Sequence, residues 1–269
     1  MFIKEIRFPN KNNDLGYPFN LDILNNKTLS IDNPVTIFIG SNGSGKTTII
    51  ESLAASINSI NISSGSISDD EFMREIVDYS KKIKISYKYK TKSGFFFRAV
   101  DFITFRHGLT HMKNKLLTEL AEIDEEFKNK SDYARQLARG PFLKSIYEIE
   151  NTYSNDLNKL SHGESFLEFF SSRFTKKGIY ILDEPETPLS PENQYTLLVM
   201  IKNMVEKGSQ FIISTHSPII MAYKNAKIFD LDNKFNQTDY EDIDSIKFLR
   251  DFLLNKERYM HYLERDDEE

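Results

Sequence analysis

The sequence predicts an α/β fold with a mixed or parallel central sheet. The apolar run Val35–Ile39 leads into a glycine-rich loop and then into a segment of helical character, Thr48–Ile57. Two later apolar runs, Ile179–Leu182 and Phe211–Ile213, also end in polar residues. Strands that are apolar throughout are typical of a parallel sheet covered on both faces, and such sheets bind ligands at the carboxyl ends of their strands.

The N-terminal residues alternate apolar and polar side chains and predict short strands. Ile3, Ile6 and Phe8 fall on the first of them, and an extended segment restarts at Tyr17. We expect these strands to form an N-terminal antiparallel β-lobe beside the central sheet, since one apolar and one polar face suit an antiparallel sheet.

The glycine-rich loop matches a phosphate-binding loop, because it lies between a strand and a helix. It consists of Gly40, Ser41, Asn42, Gly43, Ser44, Gly45, Lys46, Thr47 and Thr48. Glycines allow a sharp turn that directs N–H groups inward, toward the positive end of the helix dipole. Lys46 is expected between the β- and γ-phosphates of a nucleoside triphosphate, and the Thr47 hydroxyl is expected to bind Mg²⁺. A Gly/Ser surface turn is the alternative.

A lysine-rich strand is predicted next. Lys81–Lys92 contains six lysines, and apolar residues alternate with most of them. Lys82, Lys84 and Lys88 could contact DNA. A solvated sheet face that lysines protect against aggregation is the alternative. The following segment, Gly94–Phe102, is expected to pair with this strand through a turn at Lys92–Gly94.

A compact helical insertion is expected after these strands. Apolar residues at helical spacing predict an amphipathic helix over residues 112–130. Residues 131–158 are partly helical in pattern, and Gly140-Pro141 predicts a break.

Two carboxylates follow the apolar run 179–182, namely Asp183 and Glu184. At the carboxyl end of a parallel strand, Asp183 is expected to hold Mg²⁺ and Glu184 to polarise an attacking water. An acidic turn that caps the next helix is the alternative. It explains less well why two carboxylates follow four apolar residues.

The next helix has its own start signals. Ser190 is suited to the N-cap and Pro191 to the first helical position. The strand Phe211–Ser214 then leads to His216, a candidate catalytic residue at a strand end.

Composition limits the class of protein. The 269 residues suffice for one large domain, or for a domain with an inserted lobe. The absence of cysteine excludes disulfides, thiolate zinc sites and cysteine nucleophiles. A net charge of −5 argues against a generally basic nucleic-acid binder. Neither a signal peptide nor a membrane span is predicted, so a cytoplasmic location is expected.

Three further segments complete a set of motifs: Leu160–Ser165, Thr187–Ser190 and Ser214–Pro218. In order and approximate spacing, the set resembles an ABC-type ATPase, a P-loop NTPase. More narrowly, it resembles small soluble bacterial ATPases related to the Rad50/SMC/RecF group, in which Ser-His-Gly-Glu-Ser replaces the Leu-Ser-Gly-Gly-Gln of transporters. Several such relatives occur in antiphage defence or DNA repair.

The resemblance implies one ABC-type ATPase domain over residues 1–269. Residues 1–60 and 175–250 would form the nucleotide-binding core, residues 61–174 the β-lobe and helical insertion with the signature motif, and residues 251–269 a C-terminal helix and acidic tail. ATP and Mg²⁺ would be bound in a head-to-tail homodimer. Ser161, Gly163 and Glu164 would reach the γ-phosphate held by the other subunit. Taken alone, these residues fit a capped helix start.

The implied activity is ATP hydrolysis, with Glu184 and His216 as catalytic residues. Closure and reopening of the dimer would act as a conformational switch on an effector protein or on DNA, without a membrane partner. The nucleotide-binding subunit of a transporter and a P-loop small-molecule kinase are the alternatives.

One departure from the family concerns glutamine. The family usually places a Gln near Mg²⁺, but none occurs between Thr47 and Gln136. Asp101 is the candidate substitute, while Arg98 nearby would serve the phosphates instead.

Overall fold

A computed structural model describes residues 1–61, 65–66, 74–152 and 162–265, with some of these described by backbone alone. The strands are β1 (Ile3–Arg7), β2 (Thr28–Ser30), β3 (Val35–Ile39), β4 (Ile60–Asn61), β5 (Gly65–Ser66), β6 (Lys84–Tyr87), β7 (Gly94–Arg98), β8 (Ile179–Asp183), β9 (Gln210–Ser214), β10 (Lys227–Asp230) and β11 (Asn236–Thr238). The helices are α1 (Lys46–Ser56), α2 (Arg74–Ser80), α3 (Ala99–Glu126), α4 (Asp132–Thr152), α5 (His162–Arg173), α6 (Pro191–Glu206), α7 (Pro218–Met221), α8 (Asp244–Leu254) and α9 (Lys256–Arg265).

The main sheet has the strand order β11-β10-β3-β9-β8-β7-β4-β5. The strands from β10 to β4 run parallel, while β11 and β5 pair antiparallel at the two edges. A second sheet, β2-β1-β6, is antiparallel. The predicted α/β fold, with a mixed or parallel central sheet and an antiparallel β-lobe, is therefore confirmed, and the central sheet is mixed and mostly parallel.

Two apolar cores cover the faces of the main sheet. Successive side chains of a strand point to opposite faces, so β3 contributes Phe38 to one core and Ile37 and Ile39 to the other. The first core contains α1 and the apolar face of the antiparallel sheet. The second contains α5 and α6. This double coverage explains why the central strands are apolar throughout.

The predicted pairing between the lysine-rich strand and the segment after it is wrong. β6 pairs antiparallel with β1, and β7 pairs parallel with β8 in the main sheet. The burial patterns explain the separation. Strand β6 alternates between exposed and half-buried residues, as in a sheet with one solvated face, whereas Phe95, Phe96 and Phe97 of β7 are buried on both faces.

The backbone at Gly94 lies so close to β8 that only glycine fits there. Gly94 has φ +113°, and a Cβ there would lie 1.7 Å from the carbonyl oxygen of Ile179. The chain therefore passes closely against the start of β8 before it enters the main sheet.

The insertion is a helical hairpin of α3 and α4. The amphipathic helix predicted over 112–130 begins earlier, at Ala99, because β7 ends at Arg98. The predicted break at Gly140-Pro141 is wrong, since α4 continues through Pro141. Packing against α3 supports the helix across this position, with ion pairs from Lys113 to Glu150 at 2.8 Å and from Arg135 to Asp124 at 3.1 Å.

No helix among the described residues combines the length and apolar character that a membrane crossing requires. The division of the chain into core, insertion and C-terminal segment stays a prediction.

Candidate active site

The glycine-rich loop connects β3 to α1 at the carboxyl edge of the parallel strands. Gly40, Gly43 and Gly45 all have positive φ, at +151°, +81° and +99°. Gly45 is the N-cap of α1, and no side chain caps this helix. The first N–H groups of an uncapped helix are free to bind an anion, and the helix dipole favours negative charge there.

The loop borders a cavity of about 200 Å³. Its lining consists of Asn42, Gly43, Gly45, Lys46, Thr47, Thr48 and Glu184. The cavity therefore joins the predicted phosphate-binding loop to one of the two predicted acidic residues.

Lys46 lies folded against its own loop. Its Nζ donates to the carbonyl oxygens of Gly40 at 3.0 Å and Ser41 at 2.9 Å. Burial lowers the pKa of Lys46, and the nearby carboxylates, with Glu184 first, oppose this change. The hydroxyl of Ser44 is buried and has no hydrogen-bond partner among the described residues. An ammonium, an unpartnered hydroxyl and free N–H groups suit a phosphate.

Asp183 is the last residue of β8 and lies beside the loop. Ser214, at the end of the neighbouring strand β9, donates its hydroxyl to Oδ1 of Asp183, and the Thr47 hydroxyl also hydrogen-bonds this carboxylate. Burial raises the pKa of Asp183, and the hydrogen bonds oppose this rise.

The hydroxyl of Thr47 and the carboxylate of Asp183 are hard oxygen ligands of the kind that Mg²⁺ prefers. No cage of three or more acidic or histidine side chains occurs in the described part of the chain. Mg²⁺ usually takes one or two protein ligands together with substrate phosphates and water, so these two residues fit it.

Glu184, which lines the cavity, lies beside His216. Oε1 of Glu184 and Nε2 of His216 are 3.5 Å apart. Burial lowers the pKa of His216, and the charge of Lys46 lowers it further. A neutral imidazole can accept or donate a hydrogen bond at Nε2, which suits a residue that orients water.

Glu186 holds the backbone of the His216 loop and was missed by the sequence interpretation. Its Oε1 accepts the backbone N–H of His216 at 2.6 Å, and Thr215 also hydrogen-bonds it. Burial raises the pKa of Glu186. The only sequence signal was its place two residues after Glu184, which does not reveal a partner 30 residues away.

Two more residues contact the loop without having been predicted. The carboxylate of Asp232 accepts the backbone N–H of Ser41 at 2.6 Å and its hydroxyl at 2.9 Å. The hydroxyl of Tyr17 lies 2.7 Å from Oγ1 of Thr48. Tyr17 belongs to the N-terminal lobe, so this bond joins the lobe to the first turn of α1.

Arg98 and Asp101 form an ion pair instead of acting separately. Nε and Nη2 of Arg98 donate to the two carboxylate oxygens of Asp101 at 2.7 and 2.9 Å, and Nη1 donates to Glu51 of α1 at 2.7 Å. Asp101 is thus the bidentate partner of Arg98, and its substitution for the missing glutamine at Mg²⁺ stays a prediction.

The structure describes only some of the predicted signature residues. Ser161 lies outside the described residues. Gly163 and Glu164 lie in the first turn of α5, where the structure describes the backbone. The hydrophobic residues Phe166, Phe169 and Phe170 anchor this helix against the main sheet. Its first turn therefore has a defined position relative to the core.

The predicted lysines lie in and beside the antiparallel sheet. Lys84 is an exposed residue of β6 and is paired in register with Arg7 of β1. Lys82 and Lys88 flank the strand and are exposed. The sheet therefore has a basic surface that includes Arg7, which the sequence pattern of β6 alone did not indicate.

Solved structures similar to this chain include SMC head domains and an ATP-binding cassette, each with a TM-score below 0.5. The Smc head domain of Pyrococcus furiosus, bound to the C-terminal domain of ScpA, is 14% identical, with 93% of this chain and 99% of that chain covered and a TM-score of 0.47. A nucleotide-free ATP-binding cassette from an ABC transporter is 19% identical, with coverages of 86% and 87% and a TM-score of 0.48. The Thermotoga maritima SMC head domain is 15% identical, with coverages of 86% and 94% and a TM-score of 0.41.

Two family models match the sequence, whereas no curated protein does. A model described as AAA ATPase domain matches residues 164–221. A model described as ABC transporter matches residues 24–187, more than half of the chain, and includes both the phosphate-binding loop and the acidic strand end. The predicted resemblance is thereby confirmed, and the chain belongs to the ABC family of ATPase domains.

Proposed function

We propose that this protein binds ATP with Mg²⁺ and hydrolyses it. One observation carries the proposal. Asp183 ends β8, while Lys46 and His216 follow β3 and β9, and β9 lies between the other two strands in the parallel part of the sheet. Their side chains therefore meet at one carboxyl edge, around the uncapped N-terminus of α1. Phosphoryl transfer requires positioning and charge neutralisation, and this edge offers both.

The position of each residue in the site indicates its role in binding or hydrolysis. Lys46 and the first N–H groups of α1 hold the phosphates. Thr47 and Asp183 would hold Mg²⁺, which neutralises charge on the phosphates when bound. Glu184 would accept a proton from water, and His216, whose Nε2 lies 3.5 Å from Oε1 of Glu184, would orient that water.

The proposal includes a head-to-tail homodimer. The first turn of α5, with Gly163 and Glu164, would meet the γ-phosphate bound by a second copy, since a helix N-terminus is a natural anion site. ATP binding would close the dimer and hydrolysis would reopen it. The free energy of binding would thereby drive a conformational switch.

Replacement of Glu184 tests both hydrolysis and the dimer. Glu184→Gln removes the proton acceptor and leaves the phosphate contacts, so phosphate release should fall by about 100-fold or more. Light scattering should detect a dimer that requires Mg-ATP and persists in this variant. Glu206→Gln, at an exposed glutamate on α6, is the control and should match the wild type. Normal phosphate release by Glu184→Gln would refute the proposed base.

The output of the switch is proposed to be an effector protein or DNA, in antiphage defence or repair. The basic surface of the antiparallel sheet supports the DNA alternative. Charge reversal at Lys82, Lys84 and Lys88 should remove salt-dependent retention on DNA, because phosphate contacts dominate such binding. Reversal at Lys207, Lys224 and Lys256 is the matched control. Equal retention by both triple variants would exclude this surface.

A transporter subunit is the second candidate, and the match to the ABC transporter model favours it. Such a subunit would co-purify with a membrane protein, and its ATPase activity would depend on that partner. Full activity of the isolated chain, together with an ATP-dependent homodimer, would argue for the switch instead.

A further inference from the structure

The outward face of α4 consists of Tyr133, Leu137, Gly140, Leu143 and Tyr147. At 3.6 residues per turn, these five residues lie on one side of the helix. The two tyrosines are 76% and 66% exposed, and the two leucines are 69% and 45% exposed. An exposed apolar patch of this extent is typical of an interaction surface.

The opposite side of α4 already packs within the hairpin. Ile146 is buried, Phe142 is half-buried, and Arg135 pairs with Asp124 of α3. α4 is therefore apolar on two sides, whereas the outer helix of a hairpin is ordinarily polar toward solvent. The outward face thus has the composition of a second packing surface.

The outward face is symmetric about Gly140. Leu137 and Leu143 lie three residues before and after it, and Tyr133 and Tyr147 lie seven residues before and after it. An antiparallel pair of identical helices with a two-fold axis at Gly140 brings together residues at equal distances from the axis. Each Tyr133 then lies opposite Tyr147 of the partner subunit, and leucines flank the crossing point on both sides.

Gly140 suits the point of closest approach in such a pair. It is exposed, and a Cβ added to it would meet nothing within 4 Å. Glycine is unfavourable within a helix, so the folding of α4 does not itself explain this residue. Without a Cβ, however, two helix backbones can approach each other closely.

Charge favours the antiparallel orientation. Residues 133–147 contain no carboxylate, and their one lysine, Lys144, is exposed. A parallel pair would place each Lys144 beside its own copy. In the antiparallel pair the two ammonium groups are separated by about 12 Å along the helix axis. Each lies near Gln136 of the partner subunit, whose amide oxygen can accept a hydrogen bond.

The exposed area suffices for a specific but weak contact. A fully buried aromatic side chain removes about 150 to 250 Å² from water, so the two tyrosines and two leucines expose on the order of 500 Å² per copy. Pairing would bury on the order of 1,000 Å² in total, which is the low end for a specific interface.

We propose that two copies of this chain pair through the outward face of α4, antiparallel about Gly140. This interface is separate from the proposed ATP-dependent dimer, because it lies on the helical insertion and not at the phosphate-binding loop. The pairing needs no nucleotide. Its dissociation constant lies in the micromolar range, so that dilution below this range leaves only the ATP-dependent dimer.

Sedimentation velocity without nucleotide, over about 1 to 100 µM protein, tests the pairing. The wild type should pass reversibly from monomer to dimer in this range. Leu143→Glu should weaken association by about tenfold or more, because it brings two charges into the apolar contact. Glutamate is a good helix former, so α4 should stay folded.

Leu117→Glu, on α3 of the same hairpin, is the matched control. Leu117 is 44% exposed and Leu143 is 45% exposed, so the two variants make the same change at equally exposed positions. The control should associate as the wild type does. A wild type that stays monomeric up to 100 µM, or equal association by the two glutamate variants, would overturn the proposal.

Disulfide crosslinking tests the orientation, since the chain has no cysteine of its own. Tyr133→Cys and Tyr147→Cys should crosslink when the two variants are mixed and oxidised, because the antiparallel pair brings these positions within disulfide range. Neither variant should crosslink with itself, since its two thiols would lie about 21 Å apart along the helix axis. Self-crosslinking of each variant, or the lack of a mixed product, would overturn the antiparallel pair and leave the proposed ATP site unaffected.

Discussion

Glu184 has a left-handed backbone conformation, with φ +46°, directly after β8. Such a conformation costs about 1 to 3 kcal/mol for a residue with a side chain, so the surrounding contacts must hold it. The backbone N–H of Glu184 donates to the carbonyl oxygen of Ser214 at 3.0 Å. This bond ties the strained residue to β9, and Oε1 of its side chain lies 3.5 Å from Nε2 of His216.

Glu186 offers a test of how the His216 loop is held. Glu186→Ala removes the acceptor of the His216 N–H, so the loop should loosen and kcat should fall by about tenfold with little change in KM. Glu186→Gln keeps an oxygen acceptor and should recover most of the turnover. Steady-state phosphate release gives kcat and KM for both variants. Equal activity of the two variants would contradict a positioning role for the hydrogen bond.

Two glycines should respond in opposite directions to the same substitution. Gly94→Ala places a Cβ against the Ile179 carbonyl at a positive φ, and we expect a loss of about 2 kcal/mol or more in unfolding free energy. Gly108→Ala lies in α3 with nothing within 4 Å of the added carbon, and it should stabilise by about 0.5 to 1 kcal/mol. Urea unfolding measures both. A small effect at Gly94 would contradict the close approach of β7 to β8.

At the scale of elements, an aromatic cluster joins α5 to the main sheet. Phe170 is fully buried and contacts the rings of Phe95, Phe97, Phe166 and Phe174. The period of α5 places Phe166 and Phe170 on one face of the helix, and Phe95 and Phe97 of β7 supply the opposing surface. The orientation of α5 therefore depends on this packing.

Truncation within the cluster should be costly. Phe170→Ala is expected to lower the unfolding free energy by about 3 to 5 kcal/mol, because it removes contacts and leaves a cavity. Phe248→Ala on α8, where the residue is 59% exposed, is the control and should cost about 1 kcal/mol or less. Similar losses for the two variants in urea unfolding would contradict the burial of Phe170.

At the scale of the whole molecule, ligand binding and stability are linked. ATP that binds only the folded protein raises the free energy of unfolding, by about 2.7 kcal/mol when the free ATP concentration is 100 times Kd. Mg-ATP should therefore raise the melting temperature of the wild type. Lys46→Ala should lose most of this shift, while Lys224→Ala, at an exposed residue, should keep it. An equal shift in all three proteins would place ATP away from the phosphate-binding loop.

Much of the site was predictable because its signals are local. The strand, the glycines and the helix are contiguous, and two carboxylates end an apolar strand. The carboxyl edge of a parallel sheet then brings such segments together by general rule. The contacts of Asp232 with Ser41 and of Tyr17 with Thr48 had no comparable signal, because residues far apart in the chain meet there through loop geometry.

The amino-acid sequence by itself determined the fold class, the family, and the loop and acidic strand that form the proposed ATP site. The tertiary structure alone decided that β6 and β7 belong to different sheets, and that Arg98 joins Glu51 to Asp101. The physical reason is that periodicity and turn chemistry act over a few residues, whereas strand partners and buried ion pairs depend on which distant surfaces pack together.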